Sequence, residues 1–209
     1  ETRIVYFETP VNPDLRIIDI RGVRHVVDEF NANRGPDDRI WMVVDNTFAT
    51  PFCQRPIEHG ADVVCPSLTK GIGGFGTDMG GELIRPRALH RDLLMYRKDL
   101  GGSLSPQSAW AVLVQGLPTL ATRMVNYQKT AVRVARFLHS HPKVADVLYP
   151  GLPSFPQYKL AKQQMTDDNG RFAPGSMIYF VLHDERGEGK PAAQLIDWAA
   201  RNAYCLTLA

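Results

Sequence analysis

Apolar residues in this chain come in short blocks divided by polar turns. Ile4-Val5-Tyr6-Phe7, Trp41-Met42-Val43-Val44 and Val63-Val64 are brief continuous apolar runs. That pattern suits strands buried on both faces of a parallel sheet. Between the first two runs, Val23, Val26, Val27 and Phe30 recur at helical spacing, and Asp19 stands where a carboxylate would cap the helix. Asn31 to Arg39 reads as a polar loop. Pro56-Ile57-Glu58-His59-Gly60 leaves room for a short helix ended by glycine. Strand, helix, strand, helix, strand is the rhythm of a parallel α/β sheet, which places ligands at the carboxyl ends of its strands.

Beyond Gly80-Gly81-Glu82-Leu83-Ile84, read as a further strand, the spacing turns helical. Pro86 to Tyr96, Ser105 to Gln115 and a long run from Leu120 to His139 carry spaced apolar residues. Shorter units follow: strand Val147-Leu148-Tyr149, helix Tyr158 to Met165, strand Met177 to Val181 and helix Ala192 to Ala200. The predicted organisation is one α/β part over residues 1–120. A linking helix and the start of a smaller α/β part then occupy 121–209.

Charge changes the picture little. With 24 Lys and Arg against 22 Asp and Glu, the net charge of +2 gives no reason to expect nucleic acid or an anionic membrane as partner. No apolar run approaches membrane-spanning length, and the first residues lack the basic-then-apolar pattern of a signal peptide. Cys53, Cys65 and Cys205 lie far apart without CxxC spacing, which predicts buried reduced thiols and a cytoplasmic setting. The six histidines, His25, His59, His90, His139, His141 and His183, form no ligand constellation, so no metal is expected.

Candidate chemistry gathers at two strand ends. Ala61-Asp62-Val63-Val64-Cys65-Pro66-Ser67-Leu68-Thr69-Lys70 is an apolar strand running into two hydroxyls and an amine, and Trp41 to Asp45 is a second strand ending in a carboxylate. These groups match what pyridoxal phosphate requires: an amine for a Schiff base, hydroxyls for the phosphate and a carboxylate to keep the pyridine nitrogen protonated. Lys70 and Asp45 are therefore the catalytic candidates. Ser67 and Thr69, on alternate positions of an extended segment, are the phosphate candidates. Gly71-Ile72-Gly73-Gly74-Phe75-Gly76 formally fits GxGxxG, but it leads to a strand-like segment and not into a helix, so a dinucleotide site is not expected. These glycines are read as letting backbone pass close to the lysine.

The same residues sit within longer blocks. Tyr6-Phe7-Glu8-Thr9-Pro10-Val11-Asn12-Pro13, Val44-Asp45-Asn46-Thr47-Phe48-Ala49-Thr50-Pro51, Gln54-Arg55-Pro56, Gly60-Ala61-Asp62 and Ser67-Leu68-Thr69-Lys70 occur in that order. Gly116-Leu117-Pro118-Thr119-Leu120, Arg123-Met124 and Tyr149-Pro150-Gly151-Leu152 follow. Together they resemble the pyridoxal-phosphate enzymes of cysteine and methionine metabolism: cystathionine and methionine γ-lyases, cystathionine γ-synthase and O-acetylhomoserine sulfhydrylase. The resemblance implies a fold-type I, aspartate-aminotransferase-like α/β domain with a mostly parallel sheet, followed by the start of a smaller α/β C-terminal domain. It also implies that Asn12 hydrogen-bonds the phenolic oxygen of the cofactor. Many relatives have histidine where Phe75 stands.

The implied reaction is γ-elimination on methionine, cystathionine or a related homoserine derivative, with γ-replacement as the alternative. A reading of another class, an inactive fragment or scaffold that kept the fold, is opposed by the joint presence of Asn12, Asp45, Ser67, Thr69 and Lys70. The resembling enzymes are longer, so the chain is read as a middle section whose apolar run at Leu206 to Leu208 is a sheet edge. The resemblance further implies a homotetramer of tight dimers with shared active sites, and an amino-acid substrate.

Overall fold

In the computed structural model, residues 2–202 are described. Cys205 and the run from Leu206 to Leu208, on which the third thiol and the sheet edge were expected, lie outside them. Three parallel strands form the first sheet in the order β1-β2-β3: β1 (Ile4–Glu8), β2 (Trp41–Asp45) and β3 (Val63–Val64). Tyr6 is paired with Val43, Glu8 with Asp45 and Val43 with Val63. Glu8 and Asp45 thus share one level at the carboxyl end.

Helix α1 (Ile20–Asn31) begins where Asp19 accepts the Gly22 N–H at 3.0 Å, as the capping carboxylate predicts. Its apolar stripe places Ile20 and Val23 against Phe7, Met42, Val44, Ala61 and Val64, which closes one face of the sheet. Asp62 ties the layers together. It accepts the Met42 N–H at 2.8 Å and Arg24 Nη1 at 3.0 Å, and it also pairs with Arg39.

The other face departs from expectation. Ile4 is 59% exposed and Tyr6 60%, so the first apolar run is not covered on both sides by the described residues. A strand turns alternate side chains to opposite faces, and only Val5 and Phe7 point toward α1.

The predicted short helix is a single tight turn, Pro56–His59, ended by Gly60 at φ 102°. Glu82 to Ile84 makes only isolated bridges, Ser67 with Gly81 and Val64 with Ile84, in place of the expected full strand. Helix α2 (Thr50–Cys53) follows β2, and α3 (His90–Asp99) starts late because Pro86 leads first into a tight turn at Arg87–Leu89. Ser105 caps α4 (Pro106–Ala111), accepting the Ser108 N–H at 3.1 Å. A wide turn, Val112–Gly116, then joins it to α5 (Leu117–His139), so the two predicted helices are nearly continuous. Pro118 does not interrupt them, because a proline in the first turn removes no intrahelical hydrogen bond.

In the C-terminal part, β4 (Val144–Leu148) runs antiparallel to β5 (Tyr179–Leu182), with α6 (Tyr158–Gln164) between them and α7 (Lys190–Asn202) after. One core cluster joins Ile17, Ala49 and Cys53 to Leu120, Met124, Phe155 and Met165, across the expected division at 120. No helix among the described residues is long and apolar enough to cross a membrane.

Candidate active site

A cleft of about 200 Å³ opens at the carboxyl ends of β1 and β2, lined by Glu8, Pro10, Asn12, Asp45, Thr47, Phe48, Ser67 and Lys70. Four of the five sequence candidates therefore meet in one cavity. The sheet register explains the meeting. Asp45 is the last residue of β2, Glu8 sits opposite on β1, and Ser67 to Lys70 follow β3 directly.

Both oxygens of Asp45 are held. Oδ1 accepts the Thr47 N–H at 2.9 Å and Oδ2 accepts the Tyr6 hydroxyl at 3.2 Å. Burial of the hydroxyl end, followed by the charge of Asp45, pushes the Tyr6 phenol up to about 12, so it stays protonated and donates. The neighbouring Cys65 thiol is pushed up by the same two effects, burial first. Cys65 is only half-buried, where the sequence predicted a buried thiol. Cys53, fully buried, is raised by burial to about 12, and both described cysteines are free. Glu8 takes the Asn12 N–H at 2.8 Å, folding the Thr9-to-Asn12 segment back over the strand ends. That contact is what delivers Asn12 to the cleft.

Thr69 is the candidate that does not line it. Its hydroxyl accepts the Gly80 N–H at 3.0 Å and faces the Gly80 carbonyl at 3.3 Å, beside a separate crevice with Gly73 and Thr77. Alternation along an extended segment would set both hydroxyls on one side. The chain stops being extended at Ser67, however, and coils into a wide helical turn over Leu68–Ile72. Ser67 keeps its place, with its N–H donating to Thr47 Oγ1 at 2.8 Å. Lys70, inside the turn, has φ −92° and ψ −129°, off the helical values of its neighbours.

The glycines after Lys70 serve close packing against a later helix as well as a tight path past the lysine. A Cβ on Gly116 would lie 2.7 Å from the Ile72 carbonyl oxygen and 3.2 Å from Gly73 Cα. One on Gly74, at φ 77°, would lie 2.1 Å from Arg123 Nη1. Arg123 received no role from sequence, although it stood in a recognised block. A second unread group is Gln54, fully buried, which donates to the Thr9 carbonyl and to Asn46 Oδ1, both at 2.9 Å. Its own Oε1 accepts Gln164 Nε2 at 3.0 Å. Gln54 thereby fixes the residue after Asp45 and the segment that carries Asn12. A buried glutamine between apolar runs was the available signal for it.

The donor set can be tested against pyridoxal phosphate. One amine, one amide, two hydroxyls and two carboxylates, that of Asp45 held at both oxygens, line a single small space. Pockets for drug-sized ligands run to about 300–1,000 Å³, so this one suits a single substituted ring. No group of His, Cys, Asp or Glu among the described residues is arranged to hold a metal ion.

A three-stranded parallel sheet with a lysine just past a strand end is the arrangement of the fold-type I pyridoxal-phosphate enzymes. The crystal structure of cystathionine γ-synthase from Xanthomonas oryzae pv. oryzae in complex with aminoacrylate and cysteine is similar at a TM-score of 0.82 and 34% identity, over 99% of this chain and 48% of that one. L-methionine γ-lyase of Pseudomonas deceptionensis is 42% identical over 191 residues, covering 90% of this chain and 44% of that protein. A probable cystathionine γ-synthase of Herpetosiphon aurantiacus is 41% identical over 170 residues, 81% of this chain and 50% of that protein. The chain belongs to the Cys/Met metabolism PLP-dependent enzyme family, whose model matches residues 1–200. It spans about half the length of the curated relatives it matches.

Proposed function

We propose that the protein containing this chain is a pyridoxal-phosphate-dependent carbon–sulfur lyase that carries out γ-elimination on methionine, cystathionine or a related homoserine derivative. The observation that carries the reading is the shared cleft of Asp45, Asn12, Ser67 and Lys70 at the strand ends. Pyridoxal phosphate, when bound, supplies a ring that withdraws electrons from the substrate carbon. Lys70 provides the amine that holds the cofactor and, once released, moves a proton from the substrate Cα. Asp45 would hold the proton on the ring nitrogen, and its two anchoring donors keep the carboxylate aimed. Asn12, which lines the cleft, would donate to the cofactor's phenolic oxygen. Ser67 is assigned to the phosphate, and Thr69, whose hydroxyl is engaged by Gly80 outside the cleft, would support the turn that follows it.

Similarity to methionine γ-lyases supports elimination, and similarity to γ-synthases supports γ-replacement as the second reading. Exposed apolar side chains such as Tyr6, Trp110, Leu113 and Phe137 support further chain packing against this part, consistent with a homotetramer with shared sites. The two free cysteines support a cytoplasmic setting. The division at residue 120 is proposed on α5, which packs on the Cys53 cluster at one end and on β4 at the other.

The test is an assay for 2-oxobutyrate from methionine, cystathionine and O-acetylhomoserine, with and without added thiol. Product from methionine without thiol is expected, together with its loss by several powers of ten in Lys70→Ala. Absence of 2-oxobutyrate, with a thioether amino acid formed only when thiol is added, would replace elimination with γ-replacement. The absence of any cofactor absorbance band in the wild-type protein would favour the scaffold reading.

A further inference from the structure

The turn bearing Lys70 is held from outside itself. Arg123, on α5, donates from Nη1 to the Gly71 carbonyl at 2.8 Å and from Nη2 to the Ile72 carbonyl at 3.0 Å. The same Nη2 reaches the Gly116 carbonyl at 2.9 Å, and Nε is steadied by Thr119 Oγ1 at 3.0 Å. The two carbonyls immediately after the lysine, where a helix would continue, are thus taken by one guanidinium. Phe75 lies over its face at 5.5 Å.

We propose that Arg123 is a positioning residue for Lys70: by clasping the Gly71 and Ile72 carbonyls to the start of α5, it sets the backbone from which the lysine amine enters the cleft. The inference rests on the reading of Lys70 as the cofactor lysine. Three features carry it. Lys70 departs from helical torsions inside a helical turn, and a single residue in such a conformation persists only when its surroundings enforce it. The surroundings leave little slack, because Gly116 lets α5 approach until a Cβ there would strike the Ile72 oxygen. The guanidinium is also spent on the protein, since the four bonds named use four of its five N–H donors. It is therefore placed to shape the turn and not to bind an anion. Lysine cannot replace it, because an ammonium is a single point that does not fork across carbonyls on two segments.

The experiment separates covalent attachment from simple binding. The wild-type holoprotein, Arg123→Lys and the milder Thr119→Val are stripped of cofactor, and pyridoxal phosphate is added back. Attachment to Lys70, in which amine and aldehyde join with loss of one water, is followed by absorbance and mapped after hydride reduction. Non-covalent affinity is measured in parallel with 4′-deoxypyridoxine phosphate, which lacks the aldehyde.

Arg123→Lys should slow attachment by about tenfold to a hundredfold, the range that a misplaced reacting group costs, while the affinity for the analogue stays within about twofold. Thr119→Val, which on Arg123 frees Nε alone and otherwise gives up the hydroxyl's own bonds to the Gln115 and Gly116 carbonyls, should shift the same rate in the same direction by less. It carries the test should Arg123→Lys fail to fold. An unchanged attachment rate, or a parallel fall in rate and analogue affinity, overturns the proposal. Label on a residue other than Lys70 in the wild type would instead overturn the cofactor-lysine reading.

Discussion

Gln54→Leu exchanges a buried amide for an apolar side chain of similar size, so its cost comes from hydrogen bonds and not from a cavity. The glutamine is fully buried, and its neighbours Thr9, Asn46 and Gln164 are 0%, 2% and 3% exposed. Leucine would strand the Thr9 carbonyl and Asn46 Oδ1, and would remove the acceptor of one Gln164 N–H. Gln164 retains the Ile18 carbonyl at 3.0 Å, so its loss is partial. At about 1–3 kcal/mol for each of the two fully stranded groups, and with about 1 kcal/mol returned by the added apolar burial, the net loss is about 1–5 kcal/mol. Its upper end is a large share of the roughly 5–15 kcal/mol that holds a domain folded. Urea unfolding of the holoprotein should show the midpoint falling at constant slope. The dissociation constant for cofactor should rise as well, because the same amide holds the residue after Asp45 and the segment that delivers Asn12. A loss below about 1 kcal/mol would mean that water repairs the gap and that the amide lattice does not support the site.

Two further outcomes follow from the same geometry. Ser67→Ala should weaken cofactor binding more than Thr69→Ala does, since Thr69 spends its hydroxyl on Gly80; equal weakening of the cofactor dissociation constant would return Thr69 to the phosphate. Burial, with Arg21 next, pushes His59 down from its ordinary range, so below about pH 6.5 the unfolded chain binds the extra proton and stability falls as pH drops. His59→Gln should flatten that acid slope in urea titrations between about pH 7 and 5, and parallel slopes for the two proteins would refute the assignment.

Sequence alone was informative wherever the signal is local. The Asp19 cap, the glycine ending the turn at His59, and the valine pairs running into Asp45 and Ser67 all declare themselves within a few residues. Register between strands is a different matter. The exposure of Tyr6 follows from which face α1 covers, and the run Ile4 to Phe7 carries no mark of that. Thr69 was misplaced because a period of two was extended past Ser67, where the backbone changes to a helical path. Arg123 and Gln54 were recognisable as parts of family blocks but not as supports. The partners that make them supports lie 51 to 52 residues from Arg123 and 45 to 110 from Gln54, and no spacing rule reaches that far.

The distance between Lys70 and its clasp bears on how the chain emerges during synthesis. Asp45, Ser67 and Lys70 are made close together, and the strands that present them pair with few intervening residues. Yet the turn holding the lysine is gripped by Arg123, and the strand ends are braced through Gln54 by Gln164, both made much later. A nascent chain halted before α5 would carry every residue that lines the cleft but neither Arg123 nor Gln164, the two late supports. Because domains generally fold as units as they emerge, productive capture of the cofactor waits for the linking helix.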